Sequence, residues 1–186
     1  MFDAYVNFVL SHSLLSAAVQ FAMLGTLGEL LSHIIIHKKI ELPCKLWQLL
    51  AKILAWALLG IIIKYGFAGM KGFTRSLLDL ELLPLQFATG IGWAFAVSVL
   101  TNLFFGPQMM AFHRLEDNLI EGKLNFTGIT KAWWTLVWFW IPAHTVTFLL
   151  PTHFQIGLAA LWGMVLGLIL GLAKHKSNNE SATVPE

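Results

Sequence analysis

Charge is what this sequence has least of. Asp, Glu, Lys and Arg make up 12% of its 186 residues, against about 25% in soluble domains, and that deficit excludes an ordinary soluble fold. Cysteine is nearly missing: Cys44 stands alone, which excludes an intrachain disulfide and a cysteine metal cluster. No glycine-rich nucleotide loop, HExxH helix or Ser-His-Asp order is present, so no catalytic constellation is legible and the chain reads as a non-enzyme without cofactor or metal. A net charge of +2 is too small to imply a nucleic-acid partner. The Lys and Arg residues instead sit in short clusters between apolar runs, which is a topology signal. The opening MFDAYVNFVL carries Asp3 and no basic stretch, unlike a cleaved signal peptide or an Arg-rich transit peptide.

What is abundant is apolar: 57% of the chain is hydrophobic. The run from Ala132 to Ala173 contains no Asp, Glu, Lys or Arg. As one helix it would span roughly 60 Å at ~1.5 Å per residue, about twice the ~30 Å hydrocarbon core of a bilayer. Pro151, followed by Thr152 and His153, interrupts it midway. The run therefore predicts a transmembrane helical hairpin, with the lipid bilayer as its partner. Three earlier apolar stretches precede it: about Phe8 to Ile36, Leu46 to Ile63, and Leu85 to about Met110. Gly66, Gly69 and Gly72 weaken helix in the segment from Lys64 to Pro84, where SLLDLELL reads as a short amphipathic piece at the interface. Gly106-Pro107 predicts a kink or break at the far end of the third span. Phe112 to Lys131 reads as the most charged loop.

The expected fold is thus all-α, a polytopic bundle of about five hydrophobic helices with an interfacial segment. It forms one domain over residues 1–176, and residues 177–186 make a polar tail with nothing to fold around. Counting Lys and Arg favours five crossings over four. With five, Lys38, Lys39, Lys45, Arg114, Lys123, Lys131, Lys174 and Lys176 share a side, and only Lys64, Lys71 and Arg75 oppose them. Positive-inside then places the N-terminus outside and the C-terminus inside.

Ionisable groups inside a span are costly, and so they are candidates for function. Glu29 lies near the end of the first span and Lys52 near the start of the second. In antiparallel helices both fall about 10 Å below the same surface, where they either pair or separate, with Lys52 reaching to the interface. Glu29, His33 and His37 share one helix face at i, i+4 and i+8, a spacing open to metal ligation or to ordinary interfacial histidines. Gln20, Asn102, His144 and Thr147 add polar groups to three spans, as do Thr101 and Thr145. They line a polar path through the bundle or hydrogen-bond between helices. Trp133, Trp134, Trp138 and Trp140 read as an aromatic belt. Gly163, Gly167 and Gly171 form a ridge that specifies close helix contact, within the chain or in a homo-oligomer.

The chain resembles the family of the peroxisomal membrane protein of twenty-two kilodaltons and its mitochondrial inner-membrane relatives. Tyr5 and Gly28-Glu29 are similar to that family's Tyr and Gly-Asp. Pro107 and Glu121-Gly122 are similar to its Pro and Glu-Gly. Trp138, Pro142, Thr147-Phe148, Pro151 and Trp162 are similar to its Trp, Pro, Asn-Phe, Pro and Trp. Thr101-Asn102 stands where the family has Asp-Gln, and Ser13 where it has Pro. The resemblance implies a small, weakly selective channel in an organelle membrane, mitochondrial or peroxisomal; composition alone allows a bacterial inner membrane equally. The functional expectation is a small-solute or ion pore lined by Gln20, Glu29, Lys52, Asn102, His144 and Thr147, with a non-transporting scaffold or assembly factor as the alternative.

Overall fold

The structure, a computed structural model, describes residues 2–182, without the side chains of Phe2, Gly171 and residues 173–182. The described chain is helical and contains no strand. Helix α1 (Phe2–Ser11) breaks at His12 and α2 (Ser13–His37) follows. After a short loop comes α3 (Leu46–Asp79), then α4 (Gly90–Leu100), α5 (Gly106–Glu121), α6 (Ile129–Thr135), α7 (Ile141–Leu149) and α8 (Thr152–Ala182). Four stretches are long and apolar enough to cross a membrane: Ser13–His37, Leu46–Asp79, Gly90–Glu121 and Thr152–Leu170. At most 33% of the apolar window of any of them is buried within the protein. Leu10, Met23, Leu54, Ile91 and Leu103 all point outward, more than 60% exposed. A water-facing surface of that kind would be unstable, whereas a bilayer solvates it. The protein is an integral membrane protein.

Contacts along the helices give their directions. Glu29 meets Lys52 and the Gly60 backbone meets Phe21, so α2 and α3 are antiparallel. Lys52 lies near Asp117 and Gly66 against Phe105, so α3 also opposes α4 and α5. Gly106 faces Leu136 across the next hairpin, and α8 runs parallel to α2, pairing Gly157 with Gln20 and Met164 with Gly28. Five helical runs therefore alternate up and down. The fifth in apolarity, residues 129–149, is helical throughout and about 30 Å long by the helical rise, though Lys131, His144 and its tryptophans make it more polar than the other four. One end of the bundle collects the 38–45 loop and the 122–128 turn, and α8 runs towards it. The other end holds α1, the 80–89 loop and the Pro151 turn. α8 continues past residue 177, where the tail was expected to begin, and residues 183–186 lie outside the described residues.

Three expectations are corrected. Lys64 to Asp79 is not a separate segment, because α3 continues through it unbroken. Gly66 costs little helix stability there because Phe105 packs onto its bare backbone. At about 51 Å by the helical rise, α3 outruns the hydrocarbon core, and tilt or projection takes up the excess. Phe112 to Glu121 is likewise helix rather than loop, ended by Gly122 in the left-handed conformation (φ 66°), whose N–H bonds the Asn118 carbonyl.

Gly106-Pro107 does not break the third span. Residues Thr101–Phe105 widen into a π-turn whose last bond runs from the Gly106 N–H to the Thr101 carbonyl. Residues Leu136–Trp140 do the same before Pro142, with the Ile141 N–H on the Leu136 carbonyl. Proline lacks an N–H and crowds the carbonyl four residues back. The extra residue of a π-turn absorbs both defects, so each helix passes its proline intact. The two wide turns pack together: a methyl at Gly106 would stand 2.7 Å from Leu136 Cδ2.

The core lies where α2, α3, α4, α7 and α8 meet, around Phe21, Phe67, Val97, Phe148 and Ile156, with Ala17, Ala94, Ala159 and Ala160 as small spacers. Small residues let helices approach in lipid. At Gly60 a methyl would sit 2.8 Å from Phe21 Cβ and closer still to the Ala17 carbonyl oxygen. Only glycine permits that crossing.

Candidate functional site

Between the core and the 38–45 loop the helices spread around a partly open cavity of about 570 Å³. Elements α2, α3, α5, both π-turns and α8 all contribute to its wall. Most of the lining is apolar, with Phe21, Ile63, Phe105, Met109 and Met164 among the wall residues. The volume falls in the range of about 300–1,000 Å³ typical of small-molecule sites.

The outer part of the cavity carries the charge. Glu29 Oε2 accepts from Lys52 Nζ at 2.8 Å, and Glu29 Oε1 accepts from Trp56 Nε1 at 2.7 Å. Asp117 Oδ1 lies 3.6 Å from the same ammonium group. His113 packs against Trp56 with the rings tilted and their centroids 4.6 Å apart, and its Nε2 is 3.9 Å from Asp117 Oδ2. Lys52 and Trp56 are i and i+4 on one face of α3, and His113 and Asp117 hold the same relation on α5, so the α3 pair meets Glu29 of α2 on one side and the α5 pair on the other. Removing two charges from water is expensive unless each finds partners; here the Glu29 carboxylate uses both oxygens. Glu29, His33 and His37 do not converge on a point: Glu29 is engaged by Lys52, and the two imidazoles stack 4.2 Å apart. Among the described residues no cluster of three His, Cys, Asp or Glu side chains could hold a metal ion.

The inner part is polar without charge. Asn102, in the first π-turn, donates to the Ser98 carbonyl at 2.8 Å and lies 3.2 Å from His144 Nδ1. Ser98 Oγ donates to the Ile141 carbonyl at 2.7 Å. These bonds join α4 to α7 at the level of the π-turns. Five lining residues keep a buried hydrogen-bonding atom without a partner: His33 Nε2 and His113 Nδ1 in the outer part, and Thr101 Oγ1, Asn102 Oδ1 and Trp140 Nε1 here.

The residues singled out in the sequence thus divide. Glu29, Asn102 and His144 line the cavity, and Lys52 reaches its rim through Glu29. Gln20 belongs to the opposite end, where it accepts from Tyr5 Oη at 3.2 Å and donates to Ser16 Oγ at 2.6 Å. Thr147 is fully buried away from the cavity, its hydroxyl turned back to the Ala143 carbonyl. Gly163 and Gly167 line the cavity rather than a tight helix contact, since a methyl at Gly167 would meet nothing within 4 Å and one at Gly163 only the rim of Trp140. The contacts of Gly171 lie outside the described residues. Close approach is provided instead by Gly25, Gly28, Gly60 and Gly157.

Trp56, His113, Asp117 and Trp140 were not among the expected lining residues. The i, i+4 spacing of Lys52 with Trp56 was available as a signal. His113 and Asp117 were hidden by reading their segment as a loop, and Trp140 by its place in the aromatic belt. Compared with known protein families, curated proteins and solved structures, the chain matches none.

Proposed function

We propose that this membrane protein is a conduit for a small solute, with the cavity as its vestibule. The observation that carries this reading is the cavity itself: open space among membrane-spanning helices, with a compensated ion pair at its rim and unpaired polar atoms buried in its wall. A bundle that only scaffolds other proteins gains nothing from such space, because each void forfeits packing. Phe21 and Phe67 belong both to the cavity wall and to the packed core, so on this reading passage requires those side chains to part. Remote kinship with the peroxisomal and mitochondrial pore family belongs to the same proposal, since that family's implied activity is of this kind.

The test is flux through proteoliposomes, measured for a panel of inorganic ions and uncharged solutes, with single-channel recording for the ions. The wild-type protein should pass at least one class, and Glu29→Gln should change the rate severalfold. Vesicles that stay tight to the whole panel would reject the conduit and leave the scaffold reading in its place.

A further inference from the structure

The chemistry of the cavity restricts what it can hold. At the rim, two carboxylates (Glu29 and Asp117) stand with two cations (Lys52 and Arg114). With the lining histidines neutral this leaves no net charge to recruit an ion, and Glu29, Asp117 and Lys52 are already committed to one another. Further in, the polar groups are an amide, a hydroxyl, an indole N–H and an imidazole bonded to the amide. No fixed charge lies there to offset the desolvation of an ionic ligand. The remaining wall is aromatic, branched aliphatic and methionine, the last adapting readily to irregular apolar shapes.

The unpaired atoms give the pattern of the missing partner. Apart from His33 and His113 in the outer part, Asn102 Oδ1 offers an acceptor, Trp140 Nε1 a donor and the Thr101 hydroxyl both. A buried polar atom without a partner is destabilising, so a ligand group able both to donate and to accept relieves more than one such cost. An alcohol does this with one oxygen. We propose that the cavity binds an uncharged, largely apolar molecule ending in a hydroxyl group, seated with that end among Thr101, Asn102 and Trp140 and its apolar body along the Phe105, Met109 and Met164 wall. This inference rests on reading the cavity as the solute site, and it makes the cargo an amphiphilic alcohol rather than an inorganic ion. The wide π-turns are what bring Thr101, Asn102 and Trp140 to the wall, which gives these departures from regular helix a role beyond accommodating proline.

The experiment is photolabelling of the full-length protein in lipid nanodiscs with dodecanol carrying a mid-chain diazirine. Matched probes end in a carboxylate, in a quaternary ammonium or in a plain methyl group. Labelled residues are mapped by mass spectrometry. The alcohol should label Met109, Leu136 or Met164 saturably, and unlabelled dodecanol should compete. Asn102→Leu and Trp140→Phe should each weaken that labelling about fivefold to tenfold, the weight of one buried hydrogen bond, while labelling at lipid-facing Leu54 stays unchanged. Trp140→Phe retains the aromatic ring, so it reports on the N–H even if Asn102→Leu perturbs the fold. Labelling confined to lipid-facing positions overturns the proposal. So does labelling of the cavity by the charged probes as strongly as by the alcohol, or indifference to both substitutions. Cavity labelling in a protein whose vesicles pass no solute upholds the ligand assignment and rejects only the conduit. Ion currents without cavity labelling by the alcohol uphold a conduit and overturn this assignment.

Discussion

The two ends of the bundle treat polarity in opposite ways. At the end holding α1 and the Pro151 turn, exposed and part-buried polar side chains satisfy one another. Gln20 joins Tyr5 to Ser16, and Gln155 accepts from Lys71 Nζ at 3.1 Å while donating to the Leu150 carbonyl at 2.9 Å. At the other end, polar side chains surround open space, and several keep atoms without partners. The first arrangement fixes helices in place. The second leaves hydrogen-bonding capacity unused, at a cost in stability.

Substitutions can sharpen or break this contrast. The largest effect is expected at the packed crossing: Gly60→Ala drives a methyl into the Ala17 carbonyl and Phe21, and should cost about 3 kcal/mol, seen as a large fall in thermal midpoint in detergent. Next comes Glu29→Ala, which leaves Lys52 only the more distant Asp117. The loss should be about 2 kcal/mol, below that of breaking a fully buried pair, and Lys52→Met in the same background should recover part of it. Asn102→Ala removes a single interhelical bond and should cost about 0.6 kcal/mol, the average for such bonds in a membrane. Gly167→Ala faces open space and should shift stability by less than about 0.5 kcal/mol. Should Gly167→Ala prove as damaging as Gly60→Ala, the glycine ridge would be a packing surface and the contrast between the two ends would fail. Sidedness has its own check. Cys44, the single thiol, lies in the 38–45 loop at the cavity end, and an impermeant maleimide added outside intact cells should leave it unlabelled if that end faces inward.

Much of the fold was legible because bilayer and helix together impose a crude rule: an uncharged run of sufficient length must be a helix in lipid. The hairpin at Pro151 and the antiparallel pairing that brings Glu29 to Lys52 follow from that rule plus short loops. Helix ends were less legible. The glycines after Lys64 and the Gly106-Pro107 pair read as breaks, because propensity describes an isolated helix, whereas neighbouring helices and a π-turn supply what these residues lack. The site was half legible. Glu29, Asn102 and His144 stood out as polar groups in apolar runs, whereas Gln20 and Thr147 stood out equally and face elsewhere.

By itself, then, the sequence determined that this chain is an all-α integral membrane protein, since so much apolar surface is costly to hydrate and continuous apolar runs of about 20 residues cross lipid as helices. It also determined which polar residues must find partners inside the membrane. Only the tertiary structure decided which partners they found. The rotation of each helix about its axis, the added residue in each π-turn and the divergence of the helices towards one end depend on contacts between distant segments. A periodicity within one segment carries no record of those contacts.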